Sequence, residues 1–84
     1  MYAYSIYDNK AKAYGEPIFY KLDAELIEAI SYSFTQEGYE EVQPIEFDIF
    51  KLGTFDHNTA KFELLEAPEH LFNVNDIIKQ EKTA

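Results

Sequence analysis

Residues 22–38 carry the one long helical period in a chain whose other apolar runs alternate, and that contrast limits the fold more than any other feature. Asp23 is placed to cap a helix by accepting from amides two or three residues ahead. Leu22 and Ile27 then occupy the N′ and N4 positions of a hydrophobic staple, and Glu25 lies in the first turn, where the helix dipole favours negative charge. Leu26, Ile27, Ile30 and Phe34 recur on one face while Glu25 and Glu28 point outward. Gly38 offers a left-handed stop. Together these predict a helix over about residues 24–37.

On either side the period is two. Tyr2, Tyr4 and Ile6 alternate with Ala3, Ser5 and Tyr7 in a first strand. A polar loop, Asp8 to Gly15, separates it from a second strand over Pro17 to Leu22, and Pro17 suits a strand's first residue. These two strands predict a hairpin with a long, mobile loop. After the helix, Ile45 to Phe55 and Lys61 to Leu65 flank Asp56-His57-Asn58-Thr59-Ala60, a five-residue hairpin connection. Asp56 and Thr59 can satisfy turn amides, and Asn58 tolerates a left-handed backbone. Pro68 is placed for the first turn of a short helix, and Asn73 or Asn75 can cap a last segment through Ile77, Ile78 and Lys79. No internal repeat is visible. The expectation is a single α+β domain over residues 1–84. It has a small antiparallel sheet in ββαββ order, one main helix packed on one face and a short C-terminal helix. Only one sheet face can then be covered, which leaves tyrosines on the other to be explained.

Little in the sequence suggests reaction chemistry. Cysteine is absent, which excludes disulfides, thiolate nucleophiles and cysteine-ligated zinc. The pairs Glu40-Glu41, Glu46/Asp48 and Glu66/Glu69 are what 16 carboxylates in 84 residues place together by chance, and they read as solvated charge. His57 lies in a turn signal, and nothing in the spacing of Glu66, Glu69 and His70 forces them to converge on a metal. With three glycines there is no phosphate-cradling loop, and no nucleophile elbow surrounds Ser5, Ser31 or Ser33. The sequence predicts no enzyme, no metal site and no cofactor. The opening residues lack the pattern of a signal peptide, and no apolar run approaches the ~20 residues that cross a bilayer, so a soluble chain with no membrane partner is expected.

The charge is unevenly placed. Of a formal −9, residues 1–22 contribute +1, with Lys10, Lys12 and Lys21 against Asp8 and Glu16. Residues 23–84 carry four lysines against fourteen carboxylates. The first segment also holds Tyr2, Tyr4, Tyr7, Tyr14 and Tyr20, five of the seven tyrosines. Aromatics interleaved with lysines are the means by which single strands are bound without sequence preference. Tyr7, Lys10, Lys12, Tyr14 and Lys21 are the residues expected to touch a strand. The competing account divides the tyrosines between core and sheet bracing. Every basic side chain is lysine, so there is no guanidinium fork for reading guanine edges. A −9 chain also repels a polyanion at long range, so direct binding should be weak and salt-sensitive.

One segment carries a family likeness. Leu52, Gly53, Phe55, Asp56, Thr59 and Phe62 form an ordered motif: leucine-glycine-x-phenylalanine-aspartate, then threonine before a further aromatic. With the opening Tyr4-Ser5-Ile6-Tyr7-Asp8 and the later Pro17 and Phe19, the chain resembles the small nonstructural proteins of gokushoviruses. These are tailless single-stranded-DNA phages of the Microviridae. Ala60 stands where the family pattern favours glycine. If that residue needs positive φ, alanine costs about 1 kcal/mol; otherwise Asn58 takes the left-handed position in a different turn.

The resemblance implies a role in phage genome replication, in the host cytoplasm, around the switch to single-stranded DNA synthesis or packaging. Such proteins are described as DNA-binding factors. The partner expected on this reading is a phage or host replication protein, held by the acidic body, with single-stranded DNA at the tyrosine–lysine hairpin. Under the alternative, the protein is an acidic inhibitor or DNA mimic that displays Glu37, Glu40, Glu41, Glu46 and Asp48 to a host nucleic-acid-handling protein. A homodimer that buries an exposed tyrosine face is the third arrangement, because a small unstapled domain gains from such burial.

Overall fold

The structure is a computed structural model that describes residues 1–36, 38 and 41–83, the last five by backbone alone. Its elements are β1 (Tyr2–Asp8), β2 (Ala13–Tyr14), β3 (Ile18–Tyr20), α1 (Asp23–Phe34), a 3-10 turn (Pro44–Glu46), β4 (Phe47–Asp56), β5 (Lys61–Asn73) and α2 (Val74–Thr83). The fold is α+β with an antiparallel sheet, a main helix and a short C-terminal helix, as expected. The sheet order is β2-β1-β4-β5, and β3 shares the outer edge of β1 with β2. β2 pairs with the Tyr7–Asp8 end and β3 with the Tyr2–Tyr4 end. The expected hairpin between the first two long runs is therefore present as β1 and β3. The polar loop between them is not open chain, since it contains β2, and three strands precede α1 rather than two.

The helices cover one sheet face. Tyr4, Leu26, Ile30, Ile49, Val74, Ile77 and Ile78 form the buried core, and Tyr2, Ile6, Ile18, Tyr20, Ile27, Phe34, Phe47, Leu71 and Phe72 pack around it. The alternation in β1 thus sends Tyr2, Tyr4 and Ile6 to the helices, and the 3.6-residue period of α1 meets them with Leu26 and Ile30. α2 begins where Asn73 Oδ1 accepts from the Asn75 amide at 2.9 Å, so Asn73 is the cap.

Three local expectations are corrected. The cap of α1 is Leu22, not Asp23, and what satisfies the helix start is the Glu25 carboxylate, which accepts from the Leu22 amide at 3.0 Å. Asp23 is drawn away because the Tyr4 hydroxyl donates to it and Lys51 Nζ lies 3.4 Å from its Oδ1. The helix ends at Thr35 rather than running to residue 37. There the Thr35 hydroxyl and the Gln36 amide group both donate to the Tyr32 carbonyl, at 2.9 and 3.1 Å, and satisfy it without another turn. Gly38 does adopt positive φ, +100°, but beyond that cap. Finally, Pro68 lies inside β5 and starts no helix. Between the pairs Gly53–Leu64 and Lys51–Glu69, one residue of β4 faces four of β5, so residues 65–68 bulge from the ladder at the sheet edge. An edge bulge is where proline's missing donor is tolerated.

Candidate nucleic-acid interface

The hairpin β1–β2 and the hairpin β4–β5 are built alike, a repeat that the sequence does not advertise. In the first, Asp8 Oδ1 accepts from the Lys10 and Ala11 amides at 2.9 and 3.1 Å, and the Lys12 amide donates to the Asp8 carbonyl at 2.7 Å. In the second, Asp56 Oδ1 accepts from the Asn58 amide at 2.9 Å, and the Ala60 amide donates to the Asp56 carbonyl at 2.7 Å. Both turns close through a left-handed residue, Lys12 at φ +57° and Ala60 at φ +61°. Ala60 itself therefore takes the strained position, and Asn58 does not relieve it. The amides of Asn58 and Thr59 and the Thr59 hydroxyl hold the Asp56 carboxyl below its usual value, despite a smaller opposing effect of desolvation.

Each aspartate is preceded by an aromatic that pairs across its hairpin. Tyr7 faces Tyr14 with ring centroids 4.7 Å apart, and Phe55 faces Phe62 at 4.8 Å. A third ring joins each pair, Phe50 at 5.4 Å from Tyr14 and Phe19 at 5.6 Å from Phe55. His70 extends the first group, 5.3 Å from Phe50. By pleat and register these rings lie on the sheet face that the helices leave uncovered, since Ser5 pairs with Phe50, Ala3 with Phe19, and Tyr2, Tyr4 and Ile6 point the other way. The tyrosines are divided: Tyr2, Tyr4 and Tyr20 are on the core side, Tyr7 and Tyr14 on the open face.

Of the residues expected at a strand, four come together. Lys10 and Lys12 are exposed in the turn that begins one residue beyond Tyr7 and ends two residues before Tyr14. Lys21 does not join them. It follows β3, whose Tyr20 pairs with Tyr2, six residues along β1 from Asp8 and so about 20 Å away at ~3.3 Å per residue. Phe50 and His70 complete the ring cluster and were missed in the sequence, because their adjacency depends on the β1–β4 and β4–β5 registers.

The carboxylates assigned to a protein partner are spread differently. Glu41 is exposed and Glu46 half-buried, while Glu37 and Glu40 lie outside the described residues. Asp48 is engaged within the fold: its carboxylate accepts from Asn9 Nδ2 at 2.7 Å and Asn73 Nδ2 at 3.1 Å, and it meets His70 Nε2 at 2.9 Å. The family-motif residues all have structural work. Leu52 is the unpaired residue of a bulge against β1, and Thr59 Oγ1 accepts from the Lys61 amide at 3.4 Å. Gly53 lies where a Cβ would come 2.2 Å from the Glu63 carbonyl oxygen. No group of metal-ligating side chains is found among the described residues, and none of their helices is long and apolar enough to cross a membrane.

The family model described as phage ORF5 protein matches residues 1–77. No curated protein and no solved structure matches the chain.

Proposed function

The chain belongs to the phage ORF5 protein family, and from that premise we propose that this phage accessory protein acts in genome replication, through protein contacts and a weak contact with single-stranded DNA. The leucine-glycine-x-phenylalanine-aspartate motif supports a gokushovirus source within the Microviridae. The observation that carries the DNA contact is the open-face cluster of Tyr7, Tyr14, Phe50 and His70 beside the Lys10–Lys12 turn. Aromatic rings stack on bases of any identity, and the two lysines supply phosphate contacts at one end of the cluster. With fourteen carboxylates in the remainder of the chain, the strand is confined to this end of the sheet, and the acidic body is left for a basic protein.

The test is fluorescence polarisation with a labelled oligothymidylate. Binding should be detectable at about 20 mM salt and fade steeply as salt rises. K10Q/K12Q should weaken it and flatten the salt dependence, Y14A should weaken it about tenfold or more, and K21Q should leave it unchanged. No binding by the wild type at low salt ends the strand-contact reading. Recovery of a host nucleic-acid enzyme instead, in competition with its own DNA, would favour the inhibitor alternative.

A further inference from the structure

β5 closes one side of the sheet, and its outer edge pairs with no other strand among the described residues. Its first residues are the most exposed apolar stretch of the sheet: Phe62 is 49% exposed and Leu64 71%. They continue the ring patch of Phe19 and Phe55 on the face away from the helices. Edges of this kind invite another strand, and proteins usually guard them with charge. Here the guards are Lys61 and Glu63, both exposed, on the opposite face from Phe62, and neither in an ion pair within the protomer among the described residues.

Their signs and spacing point to one occupant. In an antiparallel pair, directly opposed residues lie on the same face, and like charges opposed destabilise. A strand of β5 laid antiparallel against itself about Phe62 places Lys61 opposite Glu63 of the other copy, twice, by symmetry. Phe62 then meets its own equivalent, and the Phe19–Phe55–Phe62 patch continues across the axis. An unrelated strand has no reason to supply lysine and glutamate in that order, so the same charges that discourage foreign pairing fit the chain's own edge. From this geometry we infer that the protein forms a two-fold homodimer by edge pairing of β5 at Lys61–Glu63. The interface is self-complementary, as a two-fold requires, and it leaves the Tyr7–Tyr14 end of the sheet uncovered, because β2 and β5 are on opposite edges.

Sedimentation velocity over a concentration series tests this, with circular dichroism to establish that each variant is folded. The wild type should pass from monomer to dimer. E63K places lysine opposite lysine twice and should raise the dimer dissociation constant about tenfold. It also lowers the protomer's charge from −9 to −7, so general repulsion between protomers predicts the reverse, tighter association. K61E should weaken the dimer similarly, and K61E/E63K, with the charge pattern reversed but complementary, should restore it. Glu63 faces Thr54 within the protomer, so E63K brings no clash of charge at home, but Lys61 faces Asp56, so K61E is compared in a D56N background, alone and with E63K. A monomer at every concentration, an E63K protein that dimerises as well as the wild type, or a double variant no better than the singles would each overturn the inference.

Discussion

Asp48 and His70 meet across β4 and β5, Oδ1 to Nε2 at 2.9 Å, and so join the two strands on the open face just below the bulge. Partial burial pushes the Asp48 carboxyl up, but hydrogen bonds from His70, Asn9 and Asn73 outweigh it and hold the group below the usual aspartate value. A carboxyl whose folded value is lower than its unfolded value contributes stability that is present above the unfolded value and lost as pH falls through the folded one. The stability difference between wild type and D48N should therefore be full at neutral pH and shrink as pH drops below about 4. Urea unfolding of both proteins across that range reads it, and a difference independent of pH would refute the assignment.

Left-handed alanine and lysine are the cost of the twin turns. Replacing Ala60 by glycine removes the Cβ from a φ of +61° and should raise unfolding stability by about 1 kcal/mol. Lys12→Gly, at φ +57°, should gain a similar amount while reducing any strand affinity through lost charge. Chemical denaturation measures both, and a loss of stability in A60G would show that the turn does not need the left-handed conformation.

Gly53 is required by contact, not by dihedral freedom. A Cβ there would stand 2.2 Å from the Glu63 carbonyl oxygen and 2.8 Å from Leu64 Cα, both backbone atoms of β5. G53A should lose about 2 kcal/mol or more, because the strands must separate to admit the methyl group. G15A is the control, since its Cβ meets nothing nearer than the Ile6 carbonyl oxygen at 3.5 Å.

Tyr4 is wholly buried, and its hydroxyl donates to the carboxylate of Asp23 at the start of α1. Burial pushes the phenol well above its ordinary value, and the adjacent carboxylate adds to the shift. Y4F should cost about 1 kcal/mol, a hydrogen bond to a charged group discounted for the exposure of Asp23. Lys51, 4.0 Å from the Tyr2 ring centroid and paired with Asp23, should make D23N costlier than Y4F, because it would then lose its carboxylate. Thermal melting of the two variants provides the comparison.

Much of the framework was legible in the residues. The alternation from Tyr2 to Tyr7 and the spacing of Leu26, Ile27, Ile30 and Phe34 are local, and each specified its element; the helix also specified its core face, whereas the buried face of β1 was set by packing. The turn after Asp56 and the cap of α2 were equally local, although Asp56 itself pairs with Lys61, leaving residues 57–60 as the connection, and the cap was one of two asparagines, Asn73 rather than Asn75. Where a side chain had two offers, sequence alone chose the nearer one. Asp23 looked like a cap because amides two and three residues away are always at hand, yet Tyr4 and Lys51 claim it from 19 and 28 positions away. Pro68 looked like a helix start because the bulge that accommodates it exists only when β5 is aligned on β4.

The site divides in the same way. Tyr7, Lys10, Lys12 and Tyr14 lie within eight residues, so the chain by itself put them near one another, but the tight turn that pairs Tyr7 with Tyr14 came from β2, where the sequence predicts a mobile loop. Phe50 and His70 joined them, Lys21 was carried to the far end of β1, and Asp48 was turned from a surface carboxylate into a tie between strands. Those outcomes depend on strand register, which is fixed by burying one face of the sheet under α1 and α2. A register is a property of pairs of distant segments. The local period determines which residues share a face, and only the packed sheet decides which of them meet.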